Sequence, residues 1–181
     1  SAKEKLEDLL RKLKRILDEL EKTSREMKER VERIIRELEK TVREVHERIK
    51  RLIDEALKRN RGDDRVREIV EEIRKKSEDV NRETEEIAER LRRELKKLDD
   101  EDKDILRRLK ERIEELRRKA EETSISEELK KELEDLLRKI EKLIKESEEK
   151  WRRLLEEIKR EIERLRETYA EILRDVKRRD K

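Results

Sequence analysis

The chain has 181 residues, of which 61% are charged and 30% belong to the apolar set, and its net charge is +3. It has no cysteine, which excludes a disulfide framework and a thiolate site. Acidic and basic residues alternate throughout and no apolar run reaches the roughly 18 residues of a membrane span, so we expect neither a nucleic-acid surface nor a membrane role. Apolar residues recur periodically, which favours long helices over disorder.

The apolar residues recur every 18 positions, and this period extends through most of the chain. Eighteen residues make about five turns at 3.6 residues per turn, so the period keeps one stripe on one face of a straight helix. A seven-residue step from Leu9 instead reaches Thr23 and Arg30 and leaves the stripe. The pattern therefore predicts nearly untwisted helices. Clear examples are Leu13, Val31 and Ile49, then Ile73, Leu91 and Leu109, then Ile140, Ile158 and Val176.

The first predicted helix covers residues 3–60 and is followed by the only glycine of the sequence, Gly62. Glycine suits the left-handed residue that follows a helix C-terminus, and an aspartate suits the next N-cap. We therefore predict a short loop capped by Gly62 and by Asp63 or Asp64.

The second predicted helix covers residues 64–121 and contains an acid-rich run at 99–104. Such a run is typical of a helix start, so the alternative is a break at 99–102 and a four-helix chain. The apolar period continues across this run through Ile69, Ile87 and Ile105, a phase that a turn would keep only by chance. We predict one continuous helix.

The third predicted helix covers residues 126–179, after a break in which Ser124 or Ser126 can serve as the cap. At about 1.5 Å per residue each helix would be about 85 Å long, and short loops make sequential helices antiparallel neighbours. The predicted fold class is all-α. The predicted architecture is an antiparallel up-down-up three-helix bundle, nearly untwisted, forming a single elongated domain over residues 1–181.

Polar residues that interrupt the apolar stripes are predicted to gather into two buried layers. The loop positions place residue i of the first helix level with residue 124 − i of the second and 124 + i of the third. Buried polar groups that bond one another fix register and disfavour shifted packings, so we interpret both layers as structural. One layer contains Thr41, His46, Ser77, Asn81, Thr84 and Tyr169, and the other contains Ser24, Asp102, Ser147 and Trp151.

A catalytic or metal-binding interpretation of these layers is weaker. A serine–histidine–acid arrangement needs a carboxylate that orients the imidazole, but Asp102 belongs to the other layer from His46. A single imidazole also lacks partner ligands for a metal. The sequence therefore predicts no catalytic residue, no metal site and no cofactor.

Two short motifs also have structural explanations. Arg61-Gly62-Asp63 spells a cell-adhesion tripeptide, but a glycine C-cap followed by an aspartate N-cap requires the same residues. The acidic residues of 100–104 together with Glu111 copy the spacing of a calcium loop. Ile105 occupies the position at which that loop needs glycine, so we predict no calcium site.

Taken together, these features resemble a de novo designed single-chain helical bundle built from parametric, nearly straight helices. The resemblance rests on the near-identical thirds, the 18-residue repeat, the Glu/Lys/Arg surface and the polar layers. It implies a monomeric, thermostable scaffold with no natural substrate, no enzymatic activity and no required partner. The main alternative is a designed protein–protein interaction module, as an oligomer or a heterodimer component. Lipid-surface helices and a spectrin-like spacer fit the composition less well.

Overall fold

The computed structural model describes residues 2–122 and 127–179, and they form three long helices. These are α1 (Ala2–Arg59), α2 (Asp64–Glu122) and α3 (Glu127–Arg179). The predicted all-α fold class is confirmed, and each helix end lies within one residue of the predicted end. The sequence favours helix along its whole length because it has no proline and only one glycine.

Helix α2 continues without interruption through the acid-rich run at 99–104. The alternative break at 99–102, and with it the four-helix chain, does not occur. The apolar face continues on both sides of the run, since Leu95 and Leu106 are both buried. Asp99 and Asp102 lie between them and are also buried, so part of the run belongs to the interior of the protein.

The turn between α1 and α2 has the predicted caps. Gly62 has a φ of 83°, which is left-handed backbone. Asp63 is the N-cap, because its Oδ1 accepts hydrogen bonds from the backbone N–H groups of Arg65 and Val66 at 3.1 and 3.4 Å. Asp64 is the first residue of α2 rather than the cap. The predicted caps Ser124 and Ser126 lie outside the described residues.

We expect Gly62→Ala to lower the free energy of unfolding by about 1–2 kcal/mol, because an L-residue in left-handed backbone meets its own carbonyl. A Cβ at this position would have no neighbour within 4 Å, so the cost is one of backbone conformation alone. Chemical denaturation measures it. Gly62→Asn should retain most of the stability because asparagine tolerates this conformation. An equal loss in both variants would contradict the explanation.

The helices pack into two compact units, and every helix contributes a segment to each. Unit 1 comprises Ser1–Arg30 and Leu95–Arg153, and unit 2 comprises Val31–Glu94 and Leu154–Lys181. The predicted single elongated domain, the up-down-up arrangement of the whole chain and the 18-residue repeat stay predictions.

The core of unit 1 takes four buried residues from each helix, at spacings of three and four that place them on one face. Full burial of each such side chain contributes about 1.5–3 kcal/mol. Two ion pairs beside this core show that α1 and α2 run antiparallel within unit 1. Glu21 pairs with Lys110 at 2.6 Å, and Lys28, later in α1, pairs with Asp99, earlier in α2, at 3.0 Å. The core residues are Leu6, Leu10, Leu13, Leu17, Leu106, Leu109, Ile113, Leu116, Leu129, Leu133, Leu136 and Ile140.

The core of unit 2 has more β-branched residues and one aromatic ring. Its surface has an ion-pair network between α2 and α3: Arg90 lies 3.2 Å from Glu157, and Arg164 pairs with Glu83 at 2.7 Å and with Glu161 at 3.0 Å. Networks of this kind stabilise more than isolated surface pairs do. The core residues are Leu38, Val42, Ile49, Ile53, Ala56, Val70, Ile73, Val80, Leu165, Tyr169, Ile172 and Val176.

Candidate functional site

The most concentrated buried chemistry lies in unit 1, around the carboxylate of Asp102. Ser24 Oγ donates to Asp102 Oδ2 at 2.6 Å, and Trp151 Nε1 donates to the same oxygen at 2.8 Å. Ser147 Oγ donates to Oδ1 at 3.0 Å. These four residues, which we call the aspartate layer, come from all three helices. The sequence predicted this group, and the structure brings its members into contact.

The aspartate layer is buried, and the exposed fraction of Asp102 is only 7%. Its carboxylate is held by two hydroxyls and an indole N–H, all of them neutral donors. Hydrogen bonds to a charged acceptor are stronger than bonds between neutral groups. The layer therefore joins all three helices through one carboxylate. If any helix shifted by one turn, Asp102 would lose hydrogen-bond donors.

A second buried aspartate, Asp99, is absent from the layers predicted from the sequence. Its Oδ2 lies 2.9 Å from Lys103 Nζ and 3.0 Å from Lys28 Nζ. Lys28 belongs to α1, so this bridge links α1 to α2, as the Glu21–Lys110 pair also does. The signal available in the sequence was spacing: Leu95, Asp99, Asp102 and Leu106 recur at intervals of three and four on one helical face.

Opposing effects set the pKa of Asp99. Burial favours the neutral acid, but the hydrogen bonds from Lys103 and Lys28 outweigh it, and the pKa lies below the ordinary value of 3.8. A carboxyl whose pKa is lowered by folding stabilises the protein above its unfolded-state pKa. That contribution is lost as the pH falls through the lower, folded-state pKa.

The second predicted layer, in unit 2, is only partly assembled. His46 Nδ1 and Ser77 Oγ share a hydrogen bond of 2.8 Å between α1 and α2, and Ser77 is buried. Asn81 is half-buried. Thr84 is buried, but its hydroxyl donates to the backbone carbonyl of Val80 in the same helix at 2.8 Å. A threonine hydroxyl in a helix commonly donates to the backbone carbonyl one turn earlier. The hydroxyl of Thr84 is used in this local bond and does not link α2 to another helix.

The assignment of Thr41 to a buried layer was wrong. Thr41 is exposed, while the adjacent Val42 is buried in the core of unit 2. Neighbouring positions on a helix point about 100° apart, so Val42 takes the inward position and turns Thr41 towards solvent.

Tyr169 is buried as predicted, yet its hydroxyl does not join the layer. Its exposed fraction is 5%, and the hydroxyl has no hydrogen-bond partner among the described residues. Burial raises the pKa of this phenol to about 12 from an ordinary value of 10.0. The side chain therefore acts as a core ring that carries an unsatisfied polar atom.

We expect Tyr169→Phe to raise the free energy of unfolding by about 1–2 kcal/mol at neutral pH, because it removes a buried hydroxyl that forms no bond. The gain should grow in alkali. Above pH 10 the unfolded chain releases the phenol proton while the folded chain retains it to about pH 12. The wild type therefore loses about 1.4 kcal/mol per pH unit across that window.

Denaturant unfolding of wild type and Tyr169→Phe at several pH values measures this difference. Both proteins contain the same lysines, so lysine titration cancels in the comparison. A destabilised Tyr169→Phe at neutral pH, or a difference that does not change between pH 10 and 12, would contradict the expectation.

The remaining motifs have structural roles. In the Arg61-Gly62-Asp63 tripeptide, the carboxylate of Asp63 is occupied by the N-cap bonds of α2. Residues 100–104 are helical rather than a loop, and Asp104 pairs with Arg107 at 2.6 Å. Over residues 2–122 and 127–179, no group of three or more His, Asp or Glu side chains is placed to hold a metal ion.

No protein-family model, curated protein or solved structure matches this chain. Among the described residues, no helix combines the length and apolarity that a bilayer crossing requires.

Proposed function

We propose that this chain is a de novo designed structural scaffold, a monomeric and highly stable helical bundle that catalyses no reaction. The observation that carries the proposal is the aspartate layer. Every hydrogen bond seen on Asp102 comes from Ser24, Ser147 or Trp151, which are themselves buried. A carboxylate enclosed in this way is used in holding helices together and is not presented to a substrate.

The surface supports the same proposal. In the part of the chain that the structure describes, no large hydrophobic side chain is exposed. Stable interfaces between proteins usually need an exposed apolar centre, so a monomer is favoured over the alternative interaction module. The charged faces are occupied by ion pairs within and between helices, such as Arg138–Asp135 at 2.6 Å and Lys150–Glu101 at 3.2 Å.

Light scattering and thermal denaturation test the scaffold proposal. We expect a mass of 22.5 kDa in solution and helical circular dichroism that persists above about 90 °C, the range of hyperstable proteins. A doubled mass would instead favour the interaction module. Unfolding at about 45–65 °C, as in ordinary domains, would contradict the proposed stability.

A sharper test makes the aspartate layer apolar through four substitutions, Ser24→Ala, Asp102→Leu, Ser147→Ala and Trp151→Phe. Replacing a buried charged network with apolar side chains is often neutral or stabilising by about 1–4 kcal/mol. We expect stability to be kept while uniqueness is lost, seen as additional or broadened NMR signals or as a higher mass. One sharp set of signals at unchanged mass would contradict the register role.

A further inference from the structure

In unit 2, helix α1 presents one flank to α2 and the other flank to α3. Glu39, which pairs with an arginine of α2, and His46, which bonds Ser77, define the α2 flank. They are seven residues apart, so they lie on the same side of α1. Val45 and Leu52, also seven apart, lie on the opposite edge of the buried stripe and pack against the core of unit 2. This second flank therefore faces α3.

Helix α3 is arranged in the same way within unit 2. Glu157 lies 3.2 Å from Arg90 of α2, and Arg164, seven residues later, also pairs with α2. Ile162 and Leu173 lie on the opposite edge and pack against the same core. They therefore face α1. We call the line along which the two apolar flanks of α1 and α3 meet the α1–α3 seam.

Three exposed basic residues flank this seam: Arg48 on α1, and Arg166 and Lys177 on α3. Each lies four positions from one of the apolar residues of the seam, which places it beside that residue on the helix surface. None of the three forms an ion pair with a described residue. The acidic residues one turn before the arginines, Glu44 and Glu163, do not pair with them in the structure. The seam therefore has cations on both of its sides.

The three cations also lie close together along the seam. Residue 77 of α2 bonds residue 46 of α1, and residue 83 of α2 pairs with residue 164 of α3. Since α1 and α3 both run antiparallel to α2 within the unit, Arg48 is level with about residue 172 of α3. At about 1.5 Å per residue, Arg166 and Lys177 lie within about 9 Å of that height, one on each side.

The α1–α3 seam differs in charge from the other two seams of unit 2. Opposite charges meet between α1 and α2, as in the pair of Glu39 with Arg92, and between α2 and α3, as in the pair of Arg164 with Glu83. The three cations of the α1–α3 seam instead repel one another, and an anion lying between them would relieve that repulsion.

We propose that the α1–α3 seam of unit 2 binds linear inorganic polyphosphate, whose charged oxygens contact Arg48, Arg166 and Lys177. A chain fits better than a single head group because Arg166 and Lys177 are about 16 Å apart along α3. A bare phosphate chain fits better than a single-stranded nucleic acid, whose bases stack on aromatic rings. The only two aromatic residues, Trp151 and Tyr169, are buried. This site goes beyond the proposed scaffold role and does not depend on it.

Titration of the whole protein with polyphosphate at several salt concentrations, followed by calorimetry, tests the proposal. We expect saturable binding that weakens as salt rises. A triple variant, Arg48→Gln, Arg166→Gln and Lys177→Gln, should bind about tenfold more weakly or worse at low salt. Its slope of log affinity against log salt should be smaller by about two, at about 0.7 for each phosphate contact of a single strand.

A second triple variant, Arg36→Gln, Arg43→Gln and Lys75→Gln, is the matched control. These residues are exposed, belong to unit 2 and form no ion pair with a described residue, but they lie away from the α1–α3 seam. Both variants remove two arginines and one lysine, so the net charge changes equally. The control should bind as the wild type does, and circular dichroism checks that both variants are folded.

Four results would overturn the proposal. The first is the absence of saturable binding to the folded wild type at low salt. The second is equal weakening in both triple variants, which would mean that net charge alone attracts the polyanion. The third is an unchanged salt dependence in the seam variant. The fourth is tighter binding of oligothymidylate than of polyphosphate with the same number of phosphates, which would assign the seam to nucleic acid.

Discussion

Trp151→Phe is expected to lower the free energy of unfolding by about 2–3 kcal/mol. The substitution keeps an aromatic ring in the core but removes the indole N–H that lies 2.8 Å from Asp102 Oδ2. Hydrogen bonds to charged groups contribute about 1.5–3 kcal/mol, and a buried carboxylate that loses a donor retains its desolvation cost. Guanidinium denaturation followed by far-ultraviolet circular dichroism measures the change.

The same substitution should behave differently once the carboxylate is absent. In an Asp102→Leu background the indole N–H has no acceptor in the layer, so Trp151→Phe should cost little or should stabilise. The double-mutant cycle therefore yields a coupling energy of about 2 kcal/mol between the two side chains. Equal costs of Trp151→Phe in both backgrounds would mean that the hydrogen bond is not the source of the effect.

Leu133→Ala is expected to lower the free energy of unfolding by about 2–5 kcal/mol. The upper end of this range exceeds the loss expected for Trp151→Phe. Leu133 has an exposed fraction of 0% and contributes to the core of unit 1 from α3. Its truncation removes buried methyl groups and leaves a cavity that long, regularly packed helices cannot easily close. Chemical denaturation measures the loss.

Leu137 provides a matched control for this truncation. It lies one turn further along α3 and packs against the same core, but it is only partly buried. Leu137→Ala removes the same atoms from the same helix, so helix propensity changes equally. We expect a loss of about 1 kcal/mol. If both variants lose equal stability, burial does not determine the effect.

The aspartate layer could be predicted because short loops restrict the register of neighbouring helices. Ser24 is expected level with about residues 100 and 148, and the structure bonds it to Asp102, which also binds Ser147. Gly62 and Asp63 could be predicted for a different reason. Left-handed backbone and exposed N–H groups demand particular residue types, whatever the rest of the chain does.

The predictions of the polar layers failed where the height of a residue along its helix does not determine its contacts. The loop positions give the height of a residue along its helix but not the direction in which its side chain points. Thr41 was therefore assigned to the interior, although Val42 points inward and Thr41 is exposed. Height also cannot distinguish a bond between helices from the local bond that Thr84 makes to Val80. Asp99 was missed because charged residues dominate the sequence, so its spacing from Leu95 and Leu106 was not interpreted as a sign of burial. Only the structure shows its partner Lys28.

The two strongest near-ultraviolet chromophores of the chain fall one in each unit. The only tryptophan, Trp151, belongs to unit 1, and the only tyrosine, Tyr169, belongs to unit 2. Tryptophan emission therefore reports on the first unit and tyrosine absorbance on the second, in the same unlabelled protein. Superimposed denaturation curves from these two probes mean that the units unfold together, and separated curves give each unit its own stability.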